Sequence, residues 1–179
     1  MEASASWLVW VVLVGCLFAT ITDLASRKIP NPITVAILMA AIAAHGWHGI
    51  VPLLHSFGAM TLVFVPGTFA HSRGWLGGGD VKLAAAVAAA FSFPLALAFV
   101  LYTMLCGGVL ALVWIAFARH RQFLTELKGY LISINLGVIP TIDTTGTRKL
   151  PYALAIACGA LLAYGSQTAM PYLQLKLFS

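Results

Sequence analysis

The sequence predicts an all-α membrane protein, a polytopic helical bundle of about six transmembrane helices. Three observations carry that reading. The chain is 61% hydrophobic and only 8% charged, where a soluble domain has roughly 25% charged residues. Its apolar residues fall in runs close to the roughly 20 residues that a helix needs to cross a bilayer. Its basic residues gather in alternate connections between those runs. A length of 179 residues suits one domain, 1–179, of helix packed on helix with lipid as the outer solvent.

The expected spans are 6–22, 33–50, 52–70, 81–93, 95–118 and 151–170. The first has no basic residue before it. Glu2 is the only charge there, and Arg27 and Lys28 follow the apolar run. That is the pattern of a retained helix with its N-terminus outside, not of a secretory signal. The second span opens after Ile29-Pro30-Asn31-Pro32, where two prolines stop one helix and start the next. The fourth is short and meets the fifth at Phe93-Pro94, so the two are either separate helices with a turn at Pro94 or one bent element. Residues 122–135 mix charged and apolar side chains, as an amphipathic interfacial helix or a partly buried loop does. Alanines 84–86 and 88–90 permit close helix approach in lipid.

Six spans put residues 23–32, 71–80 and 119–150 on one side. Those segments and their edges hold Arg27, Lys28, Arg73, Lys82, Arg119, Arg121, Lys128, Arg148 and Lys149, leaving only Lys176 of the ten basic residues opposite. The positive-inside rule makes that side cytoplasmic. Trp7, Trp10, Trp47, Trp75 and Trp114 lie near expected span ends, where an aromatic belt belongs.

The same topology places Asp23 and Asp80 on the cytoplasmic face, in a chain with five acidic residues in all. Ionisable groups at a membrane edge are costly and mark functional sites. Asp23 closes the first span. Asp80 follows Gly77, Gly78 and Gly79, which are expected to allow unusual backbone conformations and close approach of another chain. Two neighbouring carboxyls tend to share one proton. One then takes a proton from water while the other polarises a carbonyl, which is the chemistry of amide hydrolysis. The helix N-terminus favours an ionised Asp80 and burial favours a protonated one, so the sequence leaves base and acid unassigned. Plainer roles exist for each: Asp80 as a helix cap, Asp23 as an i, i+4 partner of Arg27.

Asp23 to Asn31, with Ile29, Pro30 and Asn31 in Ile-Pro-Asn, and Gly77 to Leu83, with Gly-Gly-Gly-Asp-Val-Lys-Leu, together resemble the type IV prepilin peptidase family, which includes archaeal preflagellin peptidases. Residues 148–153, Arg-Lys-Leu-Pro-Tyr-Ala, are a weaker likeness to that family's segment entering the last helix. The resemblance implies Asp23 and Asp80 as catalytic residues and the two motifs as the active-site loops. It implies removal of a short basic leader, after a glycine, from prepilin or pseudopilin precursors at the cytoplasmic face of the bacterial inner membrane. Lys82 then either attracts an acidic residue of the substrate or snorkels to headgroups. Long family members carry a cytoplasmic region with paired cysteines linked to N-methylation. Here Cys16, Cys106 and Cys158 lie unpaired in apolar runs, so the likeness is to the short, peptidase-only form of tight-adherence (Flp-type) pili, with no methyltransferase region.

Other classes fare worse. No basic stripe interleaved with aromatics suggests nucleic acid. His45, His48 and His55 fall on the opposite face from the aspartates, and neither they nor His71 are assigned a metal; no cofactor is expected. His120 belongs with Arg119 and Arg121, and Glu126 and Asp143 read as solvated loop acids. The alternatives to a peptidase are a small proton- or ion-coupled carrier using the two acids as ligands and a non-enzymatic secretion subunit.

Overall fold

The computed structural model describes residues 6–136 and 152–177. Among them every regular element is a helix: α1 (Ser6–Ser26), α2 (Asn31–Trp47), α3 (Ile50–Ser72), α4 (Gly78–Ala89), α5 (Phe93–Leu136) and α6 (Tyr152–Leu177). Three segments are long and apolar enough to cross a membrane, Trp7–Ser26, Ile50–Ser72 and Phe93–Phe117, and Asn31–Trp47 and Tyr152–Gln167 are shorter apolar helices. The chain divides into two compact units, Met1–Gly107 with Pro151–Ser179, and Gly108–Leu150. The second unit holds the rest of α5, and residues 122–135 are helical. Asp143 and residues 148–151 lie outside the described residues.

Within the first unit the packing is inverted relative to a soluble bundle. Trp10, Leu17, Phe18, Leu24, Val65 and Leu101 are all exposed, an apolar outer surface that only lipid solvates at low cost. The interior is built from small side chains. In α4, Val81, Leu83 and the whole run from Ala85 to Ala89 are buried, and α2, α3 and α6 all pack against this helix. A helix apolar all round is a buried one, and alanine lets its neighbours close in. Elsewhere glycines do the same: a Cβ on Gly15 would fall 2.7 Å from Ile37 Cδ1, one on Gly67 would fall 2.8 Å from Val81 Cγ1, and one on Gly159 would collide with Thr103. Phe91 fills the base of α4, its ring 5.4 Å from Phe99 and 4.6 Å from Tyr164.

Helix ends follow the local sequence. Pro32 sits in the first turn of α2, where its missing N–H has no partner to lose. Gly49, at φ 111°, turns the chain between α2 and α3. Arg27 closes α1 at φ 53°, a left-handed position usually left to glycine or asparagine.

Spans four and five are separate helices, and the break falls at residues 90–92 with Pro94 inside the first turn of α5. The fourth helix begins three residues earlier and ends four residues earlier than expected from 81–93. Its 12 residues make it about 18 Å long, well short of the roughly 30 Å of hydrocarbon. The Ser56 hydroxyl donates to the Ala89 carbonyl at 2.6 Å. Since Ser56 lies six residues into α3, α4 stops about 9 Å before that helix begins. Its last carbonyls are therefore satisfied from within: Ala90 N–H bonds to Val87 at 3.0 Å, Phe91 N–H to Ala88 at 3.0 Å, and His45 lies against the backbone of Ala89 and Ala90. No water is needed at that depth.

Candidate active site

Asp23 lies in the last turn of α1 and Asp80 in the first turn of α4. The helices that carry them are held together by intermediaries: α2 and α6 each pack against both α1 and α4. The linker between α1 and α2 contains Ile29, and that side chain meets Gly79 directly. A Cβ on Gly79 would fall 3.3 Å from the Ile29 Cβ. The two sequence motifs thus touch, through a contact that needs a hydrogen at position 79.

The three glycines do not serve backbone strain. Gly77 is the N-cap of α4 at φ −72° and ψ 142°, and the described glycines with positive φ are Gly49 and Gly74. The expectation of unusual conformations in this loop is corrected: all three glycines are there for space. A Cβ on Gly77 would fall 2.6 Å from Asp80 Oδ2, and one on Gly78 would fall 3.3 Å from the His71 ring. The Gly77 backbone N–H donates to the Asp80 carboxylate, the reciprocal half of a capping box with Asp80 at the third helical position. Asp80 is therefore a cap as well as a candidate catalyst, and the two roles share one geometry.

Electrostatics distinguish the carboxyls. Asp80 precedes the apolar run that starts at Val81. Burial first, and the Asp23 carboxylate second, push its carboxyl up from 3.8 to about 6, while the Gly77 N–H pulls the other way. The helix N-terminus does not win; desolvation does. Asp23 is linked to Arg27 through backbone, with the Arg27 N–H on the Asp23 carbonyl at 2.9 Å. Its Oδ2 is buried and has no hydrogen-bonding partner. An unpartnered buried carboxylate oxygen is costly.

Of the other sequence candidates, Ile29 and all three glycines join the site. Pro30 and Asn31 are exposed at the start of α2. Their traced role is local, with the Asn31 carbonyl accepting from the Thr34 hydroxyl at 2.8 Å. Lys82 is exposed and, two positions on, leaves the helix on the face opposite Asp80.

The residue that sequence reasoning missed is His71. From the end of α3 its Nδ1 lies 2.9 Å from the Leu76 carbonyl, tying the connection before Gly77, and its ring edge covers Gly78. Among the described residues no three His, Cys, Asp or Glu side chains group as a metal site.

A profile of the type IV leader peptidase family matches residues 10–112, a segment that contains both aspartates and the contacts of Gly77, Gly78 and Gly79. The chain belongs to the type IV leader peptidase family. Comparison with curated proteins and with solved structures finds no match. This leader peptidase is thus a helical membrane protein of a peptidase family that acts on precursor proteins.

Proposed function

We propose that the protein is a membrane-embedded aspartic endopeptidase that removes the short basic leader of type IV prepilin-like or Flp-type precursors. It acts at the cytoplasmic face of the bacterial inner membrane, with its N-terminus outside. The observation that carries the reading is the contact of Ile29 with Gly79, which joins the segment after Asp23 to the glycine loop before Asp80 and so draws together the two helix ends that bear the carboxyls.

In the active form Asp80, whose affinity for a proton is raised, carries the proton, and Asp23 serves as the base. Asp23 takes a proton from water as the water oxygen bonds to the scissile carbonyl carbon, while Asp80 passes its proton to the carbonyl oxygen. The tetrahedral diol then collapses: one hydroxyl proton returns to Asp80, Asp23 gives its proton to the amide nitrogen, and the C–N bond breaks. Both carboxyls end as they began. Membership of a peptidase family does not favour the carrier alternative.

The test is cleavage of a leader-bearing precursor by the membrane-reconstituted protein, with Asp23→Asn and Asp80→Asn alongside. Each substitution is expected to abolish cleavage with normal membrane insertion. Intact precursors with the wild type, or normal cutting by either variant, would remove the two-aspartate mechanism.

A further inference from the structure

The connection between α3 and α4 is tied down by successive hydrogen bonds. At the end of α3 the Gly74 N–H donates to the His71 carbonyl at 2.9 Å and the Trp75 N–H to the Ala70 carbonyl at 3.0 Å. Gly74 sits at φ 75°, the left-handed closure of a Schellman motif. One residue beyond Trp75, the Leu76 carbonyl lies 2.9 Å from His71 Nδ1. A carbonyl oxygen only accepts, so Nδ1 carries the hydrogen and the ring donates.

The two ends of the Leu76–Gly77 peptide group have different partners. Its carbonyl is held by His71, and its N–H donates to the Asp80 carboxylate. A trans peptide is planar, with C=O and N–H pointing in opposite directions, so fixing one end fixes the aim of the other. Glycines make room on both sides. A Cβ on Gly78 would fall 3.3 Å from both Cε1 and Nε2 of the His71 ring, and one on Gly77 would fall 2.6 Å from Asp80 Oδ2.

We infer that His71 is a positioning residue for Asp80, acting through the Leu76–Gly77 peptide. The inference rests on the peptidase reading above for its kinetic consequence, and on the hydrogen-bond chain for its geometry. His71 donates to the carbonyl, the peptide donates to the carboxyl, and bonds in such a chain polarise and strengthen one another. The carboxyl that passes a proton to the scissile carbonyl is thereby held in one orientation by a side chain that need not touch the substrate. Asp23 acts on the same carboxyl by charge, and Tyr152 of α6 lines the same cavity as Asp80. Both stay in place in every variant below.

The experiment compares wild type with His71→Ala, His71→Asn and His71→Gln. The Asn amide nitrogen stands as many bonds from Cα as Nδ1 does and can donate to Leu76; that of Gln stands one bond farther, at the reach of Nε2. In proteoliposomes, His71→Ala is expected to lower kcat on a leader-bearing precursor about tenfold with KM within about twofold, the mark of an interaction used in the transition state. His71→Asn is expected to restore most of kcat, and His71→Gln to leave it low. In detergent micelles with isotope-labelled glycine, the Gly77 amide is expected to exchange about tenfold faster in His71→Ala and to slow again in His71→Asn. Because the Gly77 N–H pulls the Asp80 carboxyl downward, the same loss is expected to raise the pH at which that carboxyl titrates.

Wild-type kinetics in His71→Ala, rescue by Gln and not by Asn, a loss confined to KM or to melting temperature, or an unchanged Gly77 amide would overturn the inference and leave the peptidase intact. So would an Asp80 titration that moves downward, since His71 would then only be keeping water from the carboxyl. If the wild type cuts no precursor, the peptidase reading fails, and the exchange and titration results still decide whether His71 aims the Asp80 carboxyl.

Discussion

Asp80→Asn is expected to make the protein inactive and more stable at neutral pH. The carboxyl is raised from 3.8 to about 6, mainly by burial, so the folded state binds its proton more tightly than the unfolded chain. A group with a raised folded pKa contributes its full stability below the unfolded value and loses it as pH rises through the folded one. The wild type should therefore lose stability between about pH 4 and about pH 6 on account of this residue and stay lowered above. Each tenfold in proton affinity is worth about 1.4 kcal/mol, so the raised value corresponds to about 3 kcal/mol before screening. Partial solvent access at the rim reduces that to about 1–2 kcal/mol. Asparagine keeps an acceptor for the Gly77 N–H and carries no charge. Thermal unfolding in detergent micelles at pH 4 and pH 7.5 measures the difference. The variant should match the wild type at pH 4 and melt about 2–8 °C higher at pH 7.5. Equal or lower melting of Asp80→Asn at pH 7.5 would refute burial of an ionised carboxyl as the source of the shift.

Three further outcomes are expected. Asp23→Asn should lower the Asp80 pKa without returning it to 3.8, because burial outranks the Asp23 charge among its causes; carboxyl carbon NMR titration reads this directly. Gly79→Ala places a Cβ 3.3 Å from that of Ile29 and should cut the cleavage rate several-fold, with Ile29→Ala in the same chain restoring much of it; no rescue would mean that the contact does not position Asp80. Ser56→Ala leaves the Ala89 carbonyl without its 2.6 Å donor and should cost about 1–3 kcal/mol of stability, seen as a lower melting temperature with an unchanged kcat for the folded fraction.

Much of this was legible in the residues. The six apolar segments emerge from hydropathy because a bilayer admits few alternatives to a helix. Asp23 and Asp80 stand out because an acid beside an apolar run is rarely there without cause. What could not be read depended on distances between helices. Gly77, Gly78 and Gly79 look like a flexible turn, and only the neighbours of their hydrogens, Asp80, His71 and Ile29, show that the loop is compressed instead. His71 was invisible for the same reason, since its part is played against residues five and seven positions ahead across a turn. The early end of α4 was masked by the continuing apolar sequence through Phe93; the Ser56 hydroxyl of α3, which caps the Ala89 carbonyl there, is a donor that no local pattern reveals.

The packing of α6 against both α1 and α4 has a bearing on how the enzyme comes into being. This second brace of the two aspartate-bearing helices is made after both of them. A nascent chain that has already inserted Asp23 and Asp80 has the α2 contacts but is without those of α6 until Tyr152 and the residues after it have entered the membrane. Assembly of the pair of aspartate-bearing helices is therefore finished from a part of the chain made well after both acids.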